Sequence, residues 1–240
     1  MTPVPENRFI AALEPEDALA LRPLLRRVSV PAEQIMVAQG DPVTEVHFPL
    51  DAQFANLIRF PDGAAIETAV IGNEGVTGLA PFMADRGCAW EIMCRAGGAA
   101  YVASAPALRT LATARPRLMA HLLALTDLYQ GQAAQTAACN ALHPVPDRIA
   151  RWILTASDIS PHQTLVFRQE ELARLIGARR STVSEAAAQL RRRRIIAYSR
   201  GVISIVDRPG LEDAACDCYR MLKSRLDDLY GVPDPAGDVV

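Results

Sequence analysis

Arg180, Ser181, Ser184 and Glu185 fall within two helical turns of one another, and their side chains are of the types that hydrogen-bond base edges in a major groove. Around them stand Gln169, Arg179, Thr182 and Arg191, followed by Ser199 and Arg200, all able to meet phosphate oxygens. This is the chemistry of recognition. No nucleophile–base arrangement, phosphate-cradling glycine loop or metal cluster is readable, so an enzyme is not expected.

Such residues act only if a scaffold holds them outward. Counting from Gln169, positions Leu172, Ile176, Ala178, Val183 and Ala186 are apolar, with Ala173 at a close approach and Gly177 at a corner, the spacing of a helix-turn-helix. Directly after Arg191 to Arg194, the runs Ile195–Tyr198 and Val202–Val206 flank Ser199-Arg200-Gly201 and predict a two-stranded wing. Upstream, Asp147 is placed to cap a helix that buries Ile149, Trp152 and Ile153.

Arg148 to Val206 thereby resembles the C-terminal domain of the Crp/Fnr family of bacterial transcription regulators, through Gln169-Glu170-Glu171-Leu172-Ala173, Gly177 and Arg180-Ser181-Thr182-Val183-Ser184-Glu185. The resemblance implies a homodimer that binds inverted-repeat double-stranded DNA and contacts RNA polymerase. Arg168 and Arg179 stand where members often carry Ser or Thr as helix caps, and neither can accept a backbone N–H bond. Where better-known members carry Glu and later Arg on the reading face, this chain has Ser181 and Glu185, so its operator should differ.

Charge follows the same division. The 240-residue chain has a net charge of −2, yet Arg148 to Val206 holds eleven arginines against Asp158, Glu170, Glu171 and Glu185, a net of +7, leaving −9 elsewhere. A basic module beside an acidic body suits a protein that meets phosphates with one end. Lys223 is the only lysine. The first twenty residues break their apolar positions with Pro and acid, and no membrane span or signal peptide is expected; the reading is cytoplasmic with no membrane partner.

Cys88, Cys94, Cys139, Cys216 and Cys218 show no C-x-x-C spacing and read as buried small apolar residues. Cys216 and Cys218 are expected on one helix, where their side chains would diverge, and His47, His121, His143 and His162 are scattered without ligand spacing. Some Fnr-type relatives hold an iron–sulfur cluster through an N-terminal cysteine cluster, but none precedes Cys88. No cofactor or metal is expected.

Residues 8 to 27 predict one or two short covering helices, and from Val28 to Ala103 short β-rich runs alternate with turns such as Gly40-Asp41-Pro42, Pro61-Asp62-Gly63 and Gly72-Asn73-Glu74-Gly75. This resembles the family's cyclic-nucleotide-binding β-roll. That family's cassette carries Gly-Glu and, about ten residues later, Arg beside a hydroxyl residue; here Glu74 precedes Gly75, and Arg86 is followed by Gly87 and Cys88. Cyclic AMP is therefore not expected to bind. Glu74, Gly75 and Arg86 remain the candidate pocket for an unknown effector, beside a second reading of the roll as a dimer scaffold.

From Arg115 to about Asn140, Leu118, Leu122, Leu125 and Tyr129 repeat at alternating four and three residues, which reads as the seam of a homodimer. Packing on the chain's own β-roll is the alternative. His143-Pro144-Val145-Pro146 breaks the helix and makes a hinge. Asp207 to Tyr230 is expected to add one further helix. The expectation is an α+β chain: an antiparallel β-roll over 1–114, a long central helix and hinge over 115–143, and a winged helix-turn-helix with an extra C-terminal helix over 144–240. Its function is sequence-specific DNA binding as a transcription regulator. The alternative is a small-effector-binding protein whose helix-turn-helix makes protein contacts.

Overall fold

A computed structural model describes residues 6–160, 164–166, 172–173, 175–199 and 201–231. Two short helices, α1 (Arg8–Ala11) and α2 (Pro15–Leu21), precede the roll. Asn7 fixes the first of them: its side-chain oxygen accepts from the Ile10 amide at 3.1 Å, while its amide donates to the carbonyls of Pro49 at 3.0 Å and Gly75 at 2.9 Å. One cap thus satisfies the helix start and clamps it to the roll backbone at Pro49 and Gly75.

The roll is built from β1 (Arg26–Val30), β2 (Ile35–Val37), β3 (Glu45–Pro49), β4 (Gln53–Arg59), β5 (Ala65–Ile71), β6 (Glu91–Ala96) and β7 (Gly98–Ser104), with α3 (Leu79–Ala84) between β5 and β6. They form two antiparallel sheets ordered β1-β7-β3 and β2-β6-β4-β5. Phe48, Phe54, Phe82, Ile71 and Ile92 fill the interior. Strand β4 is buried on both faces: Phe54 joins that interior, whereas Ala55 and Leu57 pack with Ile149, Trp152 and Ile153 of the winged module. The strand therefore reads as an apolar run rather than an alternation.

Helix α4 (Ala105–Ala114) leads into α5 (Pro116–Leu142), whose 27 residues span about 40 Å. Leu118, Leu122 and Leu125 are each 0% exposed and belong to the interior of the chain's own roll, with Tyr129 packed beside them. The expected dimer seam is corrected accordingly. Four-three spacing marks an apolar stripe without saying what covers it, and here the roll covers it, leaving nothing for a partner. The opposite face of α5 is the exposed one, with Leu123, Asp127, Gln130, Ala134 and Ala138.

His143 and Pro144 are extended, and α6 (Val145–Asp158) starts at once. Asp147 lies in the first turn of α6, and Pro144 occupies the cap position in its place. The winged module continues through β8 (Thr164–Val166), α7 (Arg180–Arg192), β9 (Ile196–Ser199) and β10 (Val202–Ile205), with a sheet ordered β8-β10-β9. Strand β8 is an addition to the two-stranded wing read from the sequence; three residues are too few to show a period.

The C-terminal extension differs from the single helix expected. It forms α8 (Arg208–Ala214) and α9 (Cys218–Leu229), separated where Ala215 and Cys216 leave helical geometry. Helix α9 packs on both α5 and α6, so the extension bridges the two helices that flank the hinge. Arg208 secures it: its guanidinium donates to Asp158 at 2.5 Å and to the Tyr219 hydroxyl at 2.7 Å, and that hydroxyl donates to Asp158 at 2.8 Å. Among the described residues, no helix is long and apolar enough to cross a membrane.

Candidate nucleic-acid interface

The turn between the two helices of the motif rests on Gly177, whose φ of +62° is left-handed and costs a side-chain-bearing residue strain. Before it, Leu172, Ala173, Leu175 and Ile176 are buried, and the Ala178 amide donates back to the Ala173 carbonyl at 2.9 Å. After it, α7 buries Val183, Ala186, Ala187 and Leu190 against α6 and the wing. Burial of that stripe turns the other side of α7 to solvent.

Arg180, Ser181, Glu185 and Gln189 are exposed, and Thr182 and Ser184 are half-buried beside them. Arg179 is exposed at the N-cap and makes no side-chain cap bond, as its chemistry requires. Four consecutive guanidiniums, Arg191 to Arg194, are exposed where α7 ends. Ser199 is exposed where β9 enters the wing turn, pairing across it with Val202. Arg180, Ser181, Thr182, Ser184, Glu185 and Arg191 thus share one short helix; Gln169 and Arg200 lie outside the described residues.

The effector candidates do not converge. Glu74 is buried, and its carboxylate accepts from the Gly72 amide at 2.9 and 3.0 Å, whereas Arg86 is exposed on the loop after α3. Burial pushes the Glu74 carboxyl up to about 7, against the pull of that amide and of Arg8 and Arg95. Gly75 is needed for close approach, because a Cβ there would strike the Tyr129 hydroxyl, which accepts from the Val76 amide at 2.9 Å. A cavity of about 60 Å³ touches Glu74, Tyr129, Ile159, Tyr219 and Leu226. That is room for a few waters, well below the roughly 300 Å³ at which small-molecule pockets begin.

A buried polar network joins the roll to the module that presents α7. Arg95 donates to Glu67 at 3.1 Å and to Gln53 at 2.7 Å, Trp152 of α6 donates to Glu67 at 2.9 Å, and Gln53 donates to the Ala156 carbonyl at 3.2 Å. The Arg95 guanidinium also lies 4.8 Å over the Trp152 ring. Farther along α6, Arg148 donates to the Ile176 carbonyl, just before Gly177.

One cluster was missed altogether in the sequence. Cys139, His143, Cys216 and Cys218 place their ligand atoms within 4.8 Å of one another. Cys139 and His143 are four residues apart at the end of α5. Cys216 stands in the break before α9, and Cys218 is its first residue, so the two thiols converge where one helix would have driven them apart. The contact with Cys216 draws the Cys139 thiol down, with Arg151 assisting against desolvation, and the same contact pushes Cys216 up. C-x-x-x-H closing a long helix, followed by C-x-C, was the available signal.

Residues 147–214 match the family model of the Crp-like helix-turn-helix domain. The chain as a whole has the fold of Crp/Fnr regulators. FixK2 from Bradyrhizobium japonicum superposes with a TM-score of 0.70 at 15% identity, covering 80% of this chain and 98% of its own. The c-di-GMP responsive global regulator CLP from Xanthomonas campestris gives 0.65 at 16%, over 80% and 99%. A transcriptional regulator of the CRP/FNR family from Thermus thermophilus gives 0.64 at 19%, over 79% and 98%. No curated protein matches the chain.

Proposed function

We propose that the protein is a homodimeric, sequence-specific DNA-binding transcription regulator of the Crp/Fnr type. The observation that carries the reading is the outward face of α7, where Arg180, Ser181 and Glu185 stand exposed while Arg191 to Arg194 add a cationic end beside the wing. Exposed guanidiniums at the start of such a helix suit guanine O6 and N7, and those at its end suit phosphates. The Crp-like domain match and the Crp/Fnr fold support this use of the helix.

Dimerisation belongs to the exposed side of α5. Leu123 is 53% exposed there, amid small and polar residues that let a second copy of the helix approach closely. A two-fold dimer then presents two copies of α7 to inverted half-sites about 10 base pairs apart.

Titration of random duplex DNA against salt tests the reading. Neutralised phosphates give an affinity that falls steeply as salt rises, with a slope of roughly −0.9 per contact. Protein that ignores duplex DNA at low salt would favour the alternative, a helix-turn-helix used for protein contacts.

A further inference from the structure

We infer that Cys139, His143, Cys216 and Cys218 form a closed site for a single tetrahedral metal ion of zinc chemistry, which ties the end of α5 to the C-terminal extension across the hinge.

Geometry is the first ground. Zinc–sulfur bonds of about 2.3 Å and zinc–nitrogen bonds of about 2.0 to 2.1 Å, at tetrahedral angles, place ligand sulfurs roughly 3.8 Å apart and sulfur and nitrogen roughly 3.5 Å apart. Cys139 Sγ lies 3.5 Å from Cys216 Sγ, and Cys218 Sγ lies 3.5 Å from His143 Nδ1. All four ligand atoms lie within 4.8 Å of one another, so small side-chain rotations bring them onto one ion. Iron–sulfur clusters spread their ligands over separate irons and need a wider arrangement. Hard cations such as magnesium and calcium take oxygen ligands, which are lacking in this set.

The charge around the cluster is the second ground. Arg148 and Arg151 of α6 are each only 6% exposed, and among the described residues the Nε of each has no hydrogen-bond partner. Arg151 acts electrostatically on Cys139, and Arg148 on both Cys139 and Cys216. Two buried cations beside this cluster favour anionic sulfur over thiol. Zinc with three thiolates and a neutral imidazole carries a single net negative charge, which these arginines offset. Binding is balanced by release to solvent of the protons that the sulfurs still carry. Gln135 already donates to Cys218 Sγ at 2.9 Å, as an outer partner of a thiolate would.

Position gives the consequence. Cys139 and His143 end the helix that enters the hinge, and Cys216 and Cys218 belong to the extension that packs on α5 and α6. An ion there holds the hinge closed. It also fixes Arg148, whose guanidinium reaches the Ile176 carbonyl at the corner of the helix-turn-helix. Metal occupancy would then set how firmly α7 is held relative to the roll; this last step rests on the DNA-binding reading, whereas the site itself does not.

The test uses the full chain, reduced and handled without oxygen, titrated with cobalt(II) and then zinc(II). The expected result is one cobalt per chain with the intense visible bands of a tetrahedral ion and sulfur-to-cobalt charge transfer, abolished by one equivalent of zinc. Cys139→Ser and Cys218→Ser should lose the charge-transfer intensity, and zinc should raise the melting temperature of the parent but not of either variant. His143→Gln, at a half-buried position that leaves all three thiols in place, should bind more weakly with altered bands and keeps the test open if a cysteine variant fails to fold; Cys88→Ala should bind as the parent does. An octahedral cobalt spectrum, no uptake, uptake unchanged in Cys139→Ser, or a Cys139–Cys216 disulfide in protein prepared without oxygen would overturn the site. Duplex affinity measured with and without zinc separates the two readings. A tetrahedral cobalt spectrum in a protein that binds no duplex leaves the site standing and removes the DNA function.

Discussion

Helices α6 and α7 belong to one module and use arginine in opposite ways. On α6, Arg148 and Arg151 are buried beside the cysteine cluster, and Trp152 reaches out to Glu67 and Arg95 of the roll. On α7, Arg180, Arg191 and Arg192 stand in solvent. A guanidinium removed from water must be matched by anions and carbonyls in place, and it then dictates how two domains sit together. One left in water costs little to hold and remains free for a phosphate or a base. The same contrast runs round α5, where Leu122 is 0% exposed and Leu123, one residue on, is 53% exposed.

Buried positions should therefore break the fold, and exposed ones should break only association. Leu122→Glu places a charge in the roll interior and should abolish cooperative unfolding by circular dichroism. Leu123→Glu should melt as the parent does while sedimentation shows the mass of a single chain; an unchanged dimer mass would move the interface elsewhere. Next in size is Arg95→Ala, which strips Glu67 of its ion-pair partner at a site only 7% exposed and should cost about 3 to 5 kcal/mol in urea unfolding.

Glu74 supplies a pH signature of similar scale. Its folded value of about 7 lies above the ordinary 4.5, so between those values the native chain keeps a proton that the unfolded chain has lost. Its contribution to stability is whole below 4.5 and is lost as pH rises through 7, a change of about 3 kcal/mol. Glu74→Gln should flatten that dependence and be more stable than the parent at about pH 8, as urea melts across pH would show. Smaller again, Trp152→Phe removes one donor from the Glu67 carboxylate and should cost about 1 to 3 kcal/mol.

Much of this was legible in the sequence because it is local. The seven strands of the roll lie between Arg26 and Ser104, close to the β-rich stretch expected from Val28 to Ala103, and the burial of Leu172, Ile176, Val183 and Ala186 follows from spacing within two adjacent helices. Features that depend on long-range packing were not legible. The stripe of Leu118, Leu122 and Leu125 is a real periodicity, but only the folded roll shows that it is already covered. Cys139 and Cys216 lie 77 residues apart, and a break between α8 and α9 that periodicity does not mark brings them together. Ionic pairings such as Glu67 with Arg95 have no sequence period at all.

Arg180 bears most directly on the central claim, because it is exposed at the start of α7, where side chains meet base edges. Its removal should change thermal stability little, within about 0.5 kcal/mol, yet cost about 1 to 3 kcal/mol on the preferred site. The decisive measurement is selection of binding sequences from a random duplex pool by the parent and by Arg180→Ala. An inverted-repeat consensus that loses selectivity at one base pair per half-site in the variant is the predicted result; non-palindromic winners, or the same consensus from both proteins, would contradict it.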